Sequence, residues 1–502
     1  MTTILLKNGY LLDPSRELAR ADILIEGDTI IQVGAETRRE ADRVMDLKGK
    51  IVMPGLISAH SHTTTLLQRG MADNLPLEHW RLYMILVEDE RSSRDVSFTP
   101  SDRDGVKDVY VLSALAAAEF LLTGTTGLVD TLNINWRQFD SQMDAVMQAY
   151  VDVGIRAVAA PSYSDMTFSQ TMPVHLLEVA AEASILDAGP PPDPGEIAKT
   201  LDSYLRRWTG RHTLITPGLA PTGTHRCSGE MMEQTVELAR KYDAPIQTHL
   251  LETKLQAVVS RKKFGGSTGE FLRRVGCVGP NTSFAHGVWV DDVDIAILAE
   301  TGSSIVHNPL SNMRIGSGIA PVQRMRARGL NVALGADGAG SADNHNMIEV
   351  MKFAALLGKL YGPRESWISA LDAWDMCVTG GARVMRQKVG QTAPGYLADL
   401  VVLNDEALFM MPKESLVAQM AYSELGSSVD TVLVGGRVVV ERGEVLTVDV
   451  SALHAEAQEI VSRMYRRIHA GHERFAAARG VLDRMADAVS KEKLAFSRYA
   501  DL

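Results

Sequence analysis

Pro54-Gly55-Leu56-Ile57-Ser58-Ala59-His60-Ser61-His62 closes an apolar run that begins at Lys50. The run reads as a buried strand, interrupted by a Pro-Gly step and ending in His-x-His. Alternate side chains of an extended backbone share a face, so His60 and His62 emerge together. Two imidazoles at one strand end are two corners of a transition-metal site. A bare His-x-His is equally a pair of ordinary polar residues after a strand, and only residues further along separate the two readings.

Outward from this stretch, residues 4–53 are β-rich. Segments 22–26 and 29–33 alternate or run apolar around Gly27-Asp28, a two-residue hairpin signal. The signature returns near the other end, where 398–403 reads as a strand and 431–434 and 437–440 flank Gly435-Gly436. Neither segment can bury a face alone. Together they are expected to form one small β-sandwich.

Between them, strand and helix patterns alternate, the mark of βα units and a parallel sheet. Strands are expected at 51–62, 125–130, 156–161, 214–220, 245–250, 282–286, 304–308 and 332–337. Helical stretches such as 106–122, 229–242, 293–299 and 347–360 separate them. Eight such units predict an α/β fold closed as a (β/α)8 TIM barrel, with functional groups at the carboxyl ends of its strands. The expected division is 1–55 plus 390–447 as the β-sandwich, 56–389 as the catalytic barrel, and 448–502 as a helical C-terminal extension. That tail is expected to present Arg463, Arg466 and Arg467 on an exposed face and to pack against a neighbouring subunit. The Pro-rich run from Gly189 to Gly195 reads as a surface loop.

Bulk properties narrow the class. The 502 residues suffice for one large domain and a smaller one, and 45% hydrophobic with 23% charged residues is ordinary for a globular chain. No stretch approaches the ~20 uninterrupted apolar residues of a membrane helix. The N-terminus enters a strand-like pattern at once, so no signal peptide is expected. Cys227, Cys277 and Cys377 are too far apart for a paired framework, which points to a reducing cytoplasm. A formal net charge of −11 disfavours nucleic acid and anionic membranes as partners.

Three further strand ends carry chemistry. The fifth ends Gln247-Thr248-His249-Leu250-Leu251-Glu252, the sixth Phe284-Ala285-His286-Gly287, and the eighth Leu334-Gly335-Ala336-Asp337-Gly338. Singly, His249 could be a core histidine, Asp337 a turn residue and Glu252 a carboxylate at a helix start. Barrel closure would instead bring His60, His62, His249, Glu252, His286 and Asp337 to one rim.

With these motifs in order, the chain resembles the amidohydrolase superfamily. It is most similar to the mononuclear aminohydrolase branch, with its methylthioadenosine/S-adenosylhomocysteine, guanine and cytosine deaminases and triazine hydrolases. Leu66-Leu67-Gln68-Arg69-Gly70 and Asn308-Pro309-Leu310-Ser311-Asn312 also match, and the likeness runs to about residue 445. The resemblance implies metal ligands at His60, His62, His249 and Asp337 around one divalent ion, zinc as the usual metal and iron as the alternative. Three neutral imidazoles and one carboxylate leave a position open for water, as in catalytic zinc sites, and the ion lowers the pKa of that water towards ~7. By the same resemblance, Asp337 and His286 hold the water, and Asp337 takes its proton. Glu252, placed one helical turn beyond a ligand, is the proton shuttle. The end of strand four, Leu219-Ala220-Pro221-Thr222-Gly223-Thr224-His225, offers no lysine, glutamate or cysteine to bridge a second ion before Cys227.

The expected reaction is hydrolytic deamination of an amino-substituted nitrogen heterocycle: purine, pyrimidine, pterin or triazine. The alternatives are release of an alkylamine, chloride or a urea- or amide-derived amine on the same fold, and a non-catalytic interaction scaffold. Thr222 stands where nucleoside-deaminating relatives carry a histidine, with His225 as a substitute three residues on. Glu88 roughly matches an acidic ribose-binding residue. Trp80, Tyr83, Met84, Asn133, Asn135, Trp136 and Tyr163 are candidate lining residues, and Asn344, His345 and Asn346 either touch substrate or cap the helix at Met347. A homodimer or homotetramer is what the resemblance implies.

Overall fold

The Pro-Gly step at the start of the first barrel strand exists because two backbones approach closely there. A Cβ on Gly55 would lie 2.0 Å from the Thr126 hydroxyl oxygen, so only glycine fits. The computed structural model describes residues 2–12, 18–37, 39–88, 105–178, 180–187, 190–412 and 415–499, leaving aside the side chains of 85–88, 180–182, 465–474 and 477.

The barrel strands are Leu56–Ser61, Thr125–Leu132, Arg156–Tyr163, the short pair Ile215–Pro217 and Ala220–Pro221, Ile246–Leu250, Thr282–His286, Ser304–His307 and Asn331–Leu334. Neighbours pair in parallel throughout. Two parallel bridges join the resulting sheets: Leu219 with Ile246, and Ser61 with Asp337. The expected αβ alternation is therefore present as a TIM-barrel-type ring. Its second and third strands are buried along their whole length, as parallel strands covered on both faces must be.

Strands from both chain ends form one further sheet. Its order runs Glu444–Val445, Arg437–Glu441, Val429–Val434, Leu400–Asn404, Lys50–Pro54, Thr3–Leu11, Ala19–Glu26 and Thr29–Gly34, with Arg43–Asp46 added alongside Thr3–Leu11. The join is antiparallel, Leu400–Asn404 against Lys50–Pro54. Ile4, Leu6, Ile23, Ile25, Val52, Leu400, Val402 and Leu433 fill one apolar cluster, so each terminal segment supplies what the other lacks.

The tail is a single long helix, Val450–Lys491. Described apolar residues of its second half pack on this chain. Phe475, Ala478, Leu482 and Met485 pack with Trp80, Leu82, Tyr83 and Met84 of the helix Leu77–Glu88. Arg463 is not on a free surface but is ion-paired to Asp108, whereas the side chains of Arg466 and Arg467 lie outside the described residues. No described helix is long and apolar enough to cross a membrane.

Barrel and terminal sheet are tied by one buried ion pair. Arg156 Nε and Nη2 donate to the two carboxylate oxygens of Asp399 at 2.6 and 2.9 Å, both residues within a few per cent of full burial. Such a fork satisfies both charges only while both partners remain. Replacing Arg156 by Met leaves Asp399 buried without its countercharge, with only the Gly435 amide still donating to it, and is expected to destabilise the fold by about 3–5 kcal/mol. A shift of the urea unfolding midpoint measures this, and an unshifted midpoint contradicts it.

Candidate active site

Four strand ends deliver the side chains. His60 lies in the first barrel strand and His62 just beyond it, His249 lies in the fifth, His286 ends the sixth, and Asp337 follows the eighth. The Asp337 amide donates to the His60 carbonyl at 3.0 Å, so the bond that closes the ring also sets carboxylate against imidazole. His286 and Asp337 both hold left-handed backbone, φ 72° and 61°. Non-glycine residues keep that conformation only where surrounding structure enforces it.

The orientation of each ring is fixed from behind. His62 Nδ1 donates to the Thr131 carbonyl and His249 Nδ1 to the Thr222 carbonyl, each at 2.6 Å. His60 Nδ1 lies 2.7 Å from Gln247 Oε1. The Gln247 amide nitrogen donates to the Ala59 carbonyl and the Ser283 hydroxyl, which identifies its oxygen as the acceptor. All three imidazoles therefore carry their proton on Nδ1 and turn a bare Nε2 lone pair inward.

Those lone pairs have no protein donor. His60 Nε2 is buried without a partner, and the Nε2 atoms of His62 and His249 face each other at 3.3 Å. Asp337 Oδ1 stands 3.5 Å from His62 Nε2 and 3.7 Å from His60 Nε2. His60, His62 and Asp337 form one group able to hold a metal ion, and His60, His249 and His286 another. Burial lowers His60 and His62 to about 4, so they are neutral ligands at pH 7. A cation relieves the opposed lone pairs and the orphaned Nε2 together. The residues fit a divalent metal.

His286 stands between two carboxyl groups, with Nδ1 3.6 Å from Glu252 Oε1 and Nε2 3.8 Å from Asp337 Oδ2; its Nδ1 also meets Asn312 Oδ1 at 2.9 Å. The two acids differ sharply. Burial pushes Asp337 up, but His286, His60, His62 and the Ser311 hydroxyl together hold it well below the usual carboxylate range. Glu252 goes the other way: burial, then the charges of Asp337 and Glu78, raise it well above that range, with Arg81 opposing. Sequence reasoning expected a helical turn to carry Glu252 inward. A left-handed Leu251 (φ 44°) does so instead, and the helix begins only at Lys254 behind its Thr253 cap.

These residues face a cavity of about 70 Å³ that Trp80, Thr222 and His225 also line. Beyond it lies a chamber of about 540 Å³ with Trp136, Tyr163 and the Pro-rich segment 190–192 on its walls. Asn133 borders both spaces. The other candidates serve packing. Tyr83 and Met84 sit in the cluster under the C-terminal helix, Asn135 caps a short turn, Asn346 caps the helix at Met347, Asn344 binds Glu349, and His345 packs at a tilt against Phe120. The Glu88 side chain lies outside the described residues. Cys227, the first thiol after strand four, is buried against the Tyr163 carbonyl. Gln247, Glu78, Arg81 and Arg226 escaped sequence reasoning. Gln247 had a signal, since a strand puts residues 247 and 249 on one side; the others sit in helix or loop with none.

A TIM-barrel-type ring with three inward imidazoles and a carboxylate at its mouth defines a metal-dependent hydrolase. The chain belongs to the amidohydrolase family, which it matches over residues 51–439. It is 31% identical over 448 residues to the 5-methylthioadenosine/S-adenosylhomocysteine deaminase of Pyrococcus abyssi, spanning 89% of this chain and 96% of that protein. Among solved structures it is similar to a zinc-bound adenosine deaminase of Xanthomonas campestris, with a TM-score of 0.79, 25% identity and 93% and 99% coverage of the two chains. The zinc complex of atrazine chlorohydrolase from Arthrobacter aurescens TC1 also aligns, with a TM-score of 0.79, 25% identity and 91% and 100% coverage.

If Gln247 positions His60, then Gln247→Leu weakens metal binding by roughly 10–100-fold without unfolding the barrel. Competition with a chelator reads this directly, and unchanged affinity overturns the role.

Proposed function

We propose that this amidohydrolase removes an amino group from an sp² ring carbon of a nitrogen heterocycle, R–C(=N)–NH2 plus water giving the oxo product and ammonia. The observation that carries the proposal is the pair of carboxyl groups flanking His286 beside the imidazole cluster, one in surroundings that raise its pKa and the other in surroundings that lower it. Two acids whose environments push their pKa values apart are suited to opposite proton transfers.

His60, His62, His249 and Asp337 would hold one divalent ion, with zinc the metal bound by the aligned structures. When bound, that ion acts as a Lewis acid that brings a water to nucleophilic strength near neutral pH. Asp337, ionised, accepts a proton from the attacking water, and His286 orients that water from the other side. Glu252 enters the cycle protonated and delivers its proton to the ring nitrogen beside the reacting carbon. Glu252, now a carboxylate, removes the proton of the newly formed hydroxyl as the carbonyl forms and passes it to the departing amine, so that ammonia and not an amide anion leaves. The proton held by Asp337 then returns to Glu252 and restores both acids. Trp80, Thr222 and His225 are the substrate contacts in this reading.

The aligned chlorohydrolase favours a second reading, with chloride as leaving group. Chloride departs without a proton, whereas an amine needs one, and the buried raised Glu252 is the feature that favours the amine. We further take residues 1–55 with 390–447 as a sandwich domain, 448–502 as an extension and the assembly as a homodimer or homotetramer.

Glu252→Gln is expected to lower kcat by about 10²–10⁴ while metal content stays at the wild-type level. The sign of the pH effect follows from the raised pKa: Glu252 is competent below it and loses its proton as pH rises through it. The wild-type rate should therefore fall on the alkaline side, and the variant should lack that limb. Ammonia release across aminopurines, aminopyrimidines, aminopterins and aminotriazines tests the reaction itself. Chloride release from chlorotriazines with no ammonia from any amine would establish the second reading.

A further inference from the structure

The loop after the fourth barrel strand holds a charged side chain that the proposed reaction does not use. Arg226 is 5% exposed, and its Nε and Nη2 are buried without a hydrogen-bond partner. Its guanidinium carbon lies 5.9 Å from the centre of the Phe168 ring. The side chain borders both the inner cavity and the outer chamber, as does Arg81.

The loop is pinned, so this is a positioned group. The Ser164 hydroxyl donates to the Arg226 carbonyl at 2.6 Å, and the Arg226 amide donates to the Gly223 carbonyl at 2.9 Å. Lys263 Nζ bonds the carbonyls of His225 and Cys227 at 3.0 and 2.9 Å. The Ser228 amide donates to Asp165 at 2.8 Å. A buried guanidinium with open donors is costly unless something satisfies it. Its planar fork matches a carboxylate or phosphate, two oxygens at a time. Burial and the charge of Arg81 depress its basicity, a penalty an oxyanion would reverse.

Charge distribution gives the direction. Arg81 and Arg226 border both spaces, whereas Glu78, Glu252 and Asp337 line only the inner cavity and Asp193 and Glu196 only the outer chamber, so positive charge prevails at the boundary between them. We infer that Arg226, with Arg81 beside it, is an oxyanion subsite, and that the substrate is an amino-heterocycle bearing a carboxylate or phosphate on the arm that reaches the outer chamber. The inference rests on the deaminase reading for the ring and on Arg226 for the anion.

Matched pairs test it: S-adenosylhomocysteine against its carboxyl methyl ester, and adenosine 5′-monophosphate against adenosine. For wild type, one charged member should exceed its neutral partner in kcat/KM, and the arm that does so distinguishes carboxylate from phosphate. Arg226→Gln should lower kcat/KM for that compound on the order of 10–100-fold. The same variant should change the neutral partners less than about threefold, which also shows that it folds. Arg226→Lys should recover part of the preference. Should no compound release ammonia, calorimetric binding of the same four to wild type and Arg226→Gln makes the comparison, so a failed deaminase reading does not decide this one. No charged-over-neutral preference in wild type, or an equal loss for both members in Arg226→Gln, overturns the subsite.

Discussion

One backbone hydrogen bond carries two consequences in this fold. The amide of Asp337 donates to the carbonyl of His60, and the adjoining bridge from Ser61 to Asp337 is the seam that closes the barrel. Without the seam, the first and eighth strands are edges of separate sheets and the carboxylate has no reason to stand near the histidines. With it, residues 277 positions apart in sequence become neighbours. The surrounding glycines answer to the same constraint, since a Cβ at Gly335 would lie 2.8 Å from that of His60.

The seam concentrates polar groups where water is scarce, which is costly by itself. The chain offsets this from the second layer. Backbone carbonyls of Thr131 and Thr222 and the amide oxygen of Gln247 take the imidazole protons. Asp130, itself buried, accepts from the Thr63 amide and hydroxyl just past His62 and holds that turn. The left-handed residues His286 and Asp337 are further strain borne by the ring. Strain, aligned lone pairs and acids with pKa values pushed apart meet at one end of the barrel, while a large apolar cluster fills much of the remaining interior.

Much of this was legible in the sequence because it rests on periodicity and on residues at strand ends. The His-x-His pair announces a strand end, but the stretch 51–62 expected as one strand is split at the Pro-Gly step between the terminal sheet and the barrel. The eighth strand, expected to reach Asp337, ends at Leu334. The hairpins around Gly27-Asp28 and Gly435-Gly436 fall where turn chemistry puts them, and their strands join in one sheet. What stayed hidden depends on contacts with no local signature. Arg81 and Glu78 reach the cavity because their helix is pressed inward by a tail helix some 400 residues later, including the bond from His79 to Asp483. Arg226 follows a strand too short to show a period. The entry of Glu252 depended on a left-handed Leu251, which the bulky leucine itself argues against.

The central claim is that the three bare Nε2 atoms and Asp337 surround one cation. Diffraction data from crystals grown with zinc, collected on both sides of the zinc absorption edge, test it most directly. The account predicts a single anomalous peak about 2.0–2.2 Å from the Nε2 atoms of His60, His62 and His249 and from a carboxylate oxygen of Asp337. Two peaks at the barrel mouth, or none with the four side chains in the same places, would contradict it.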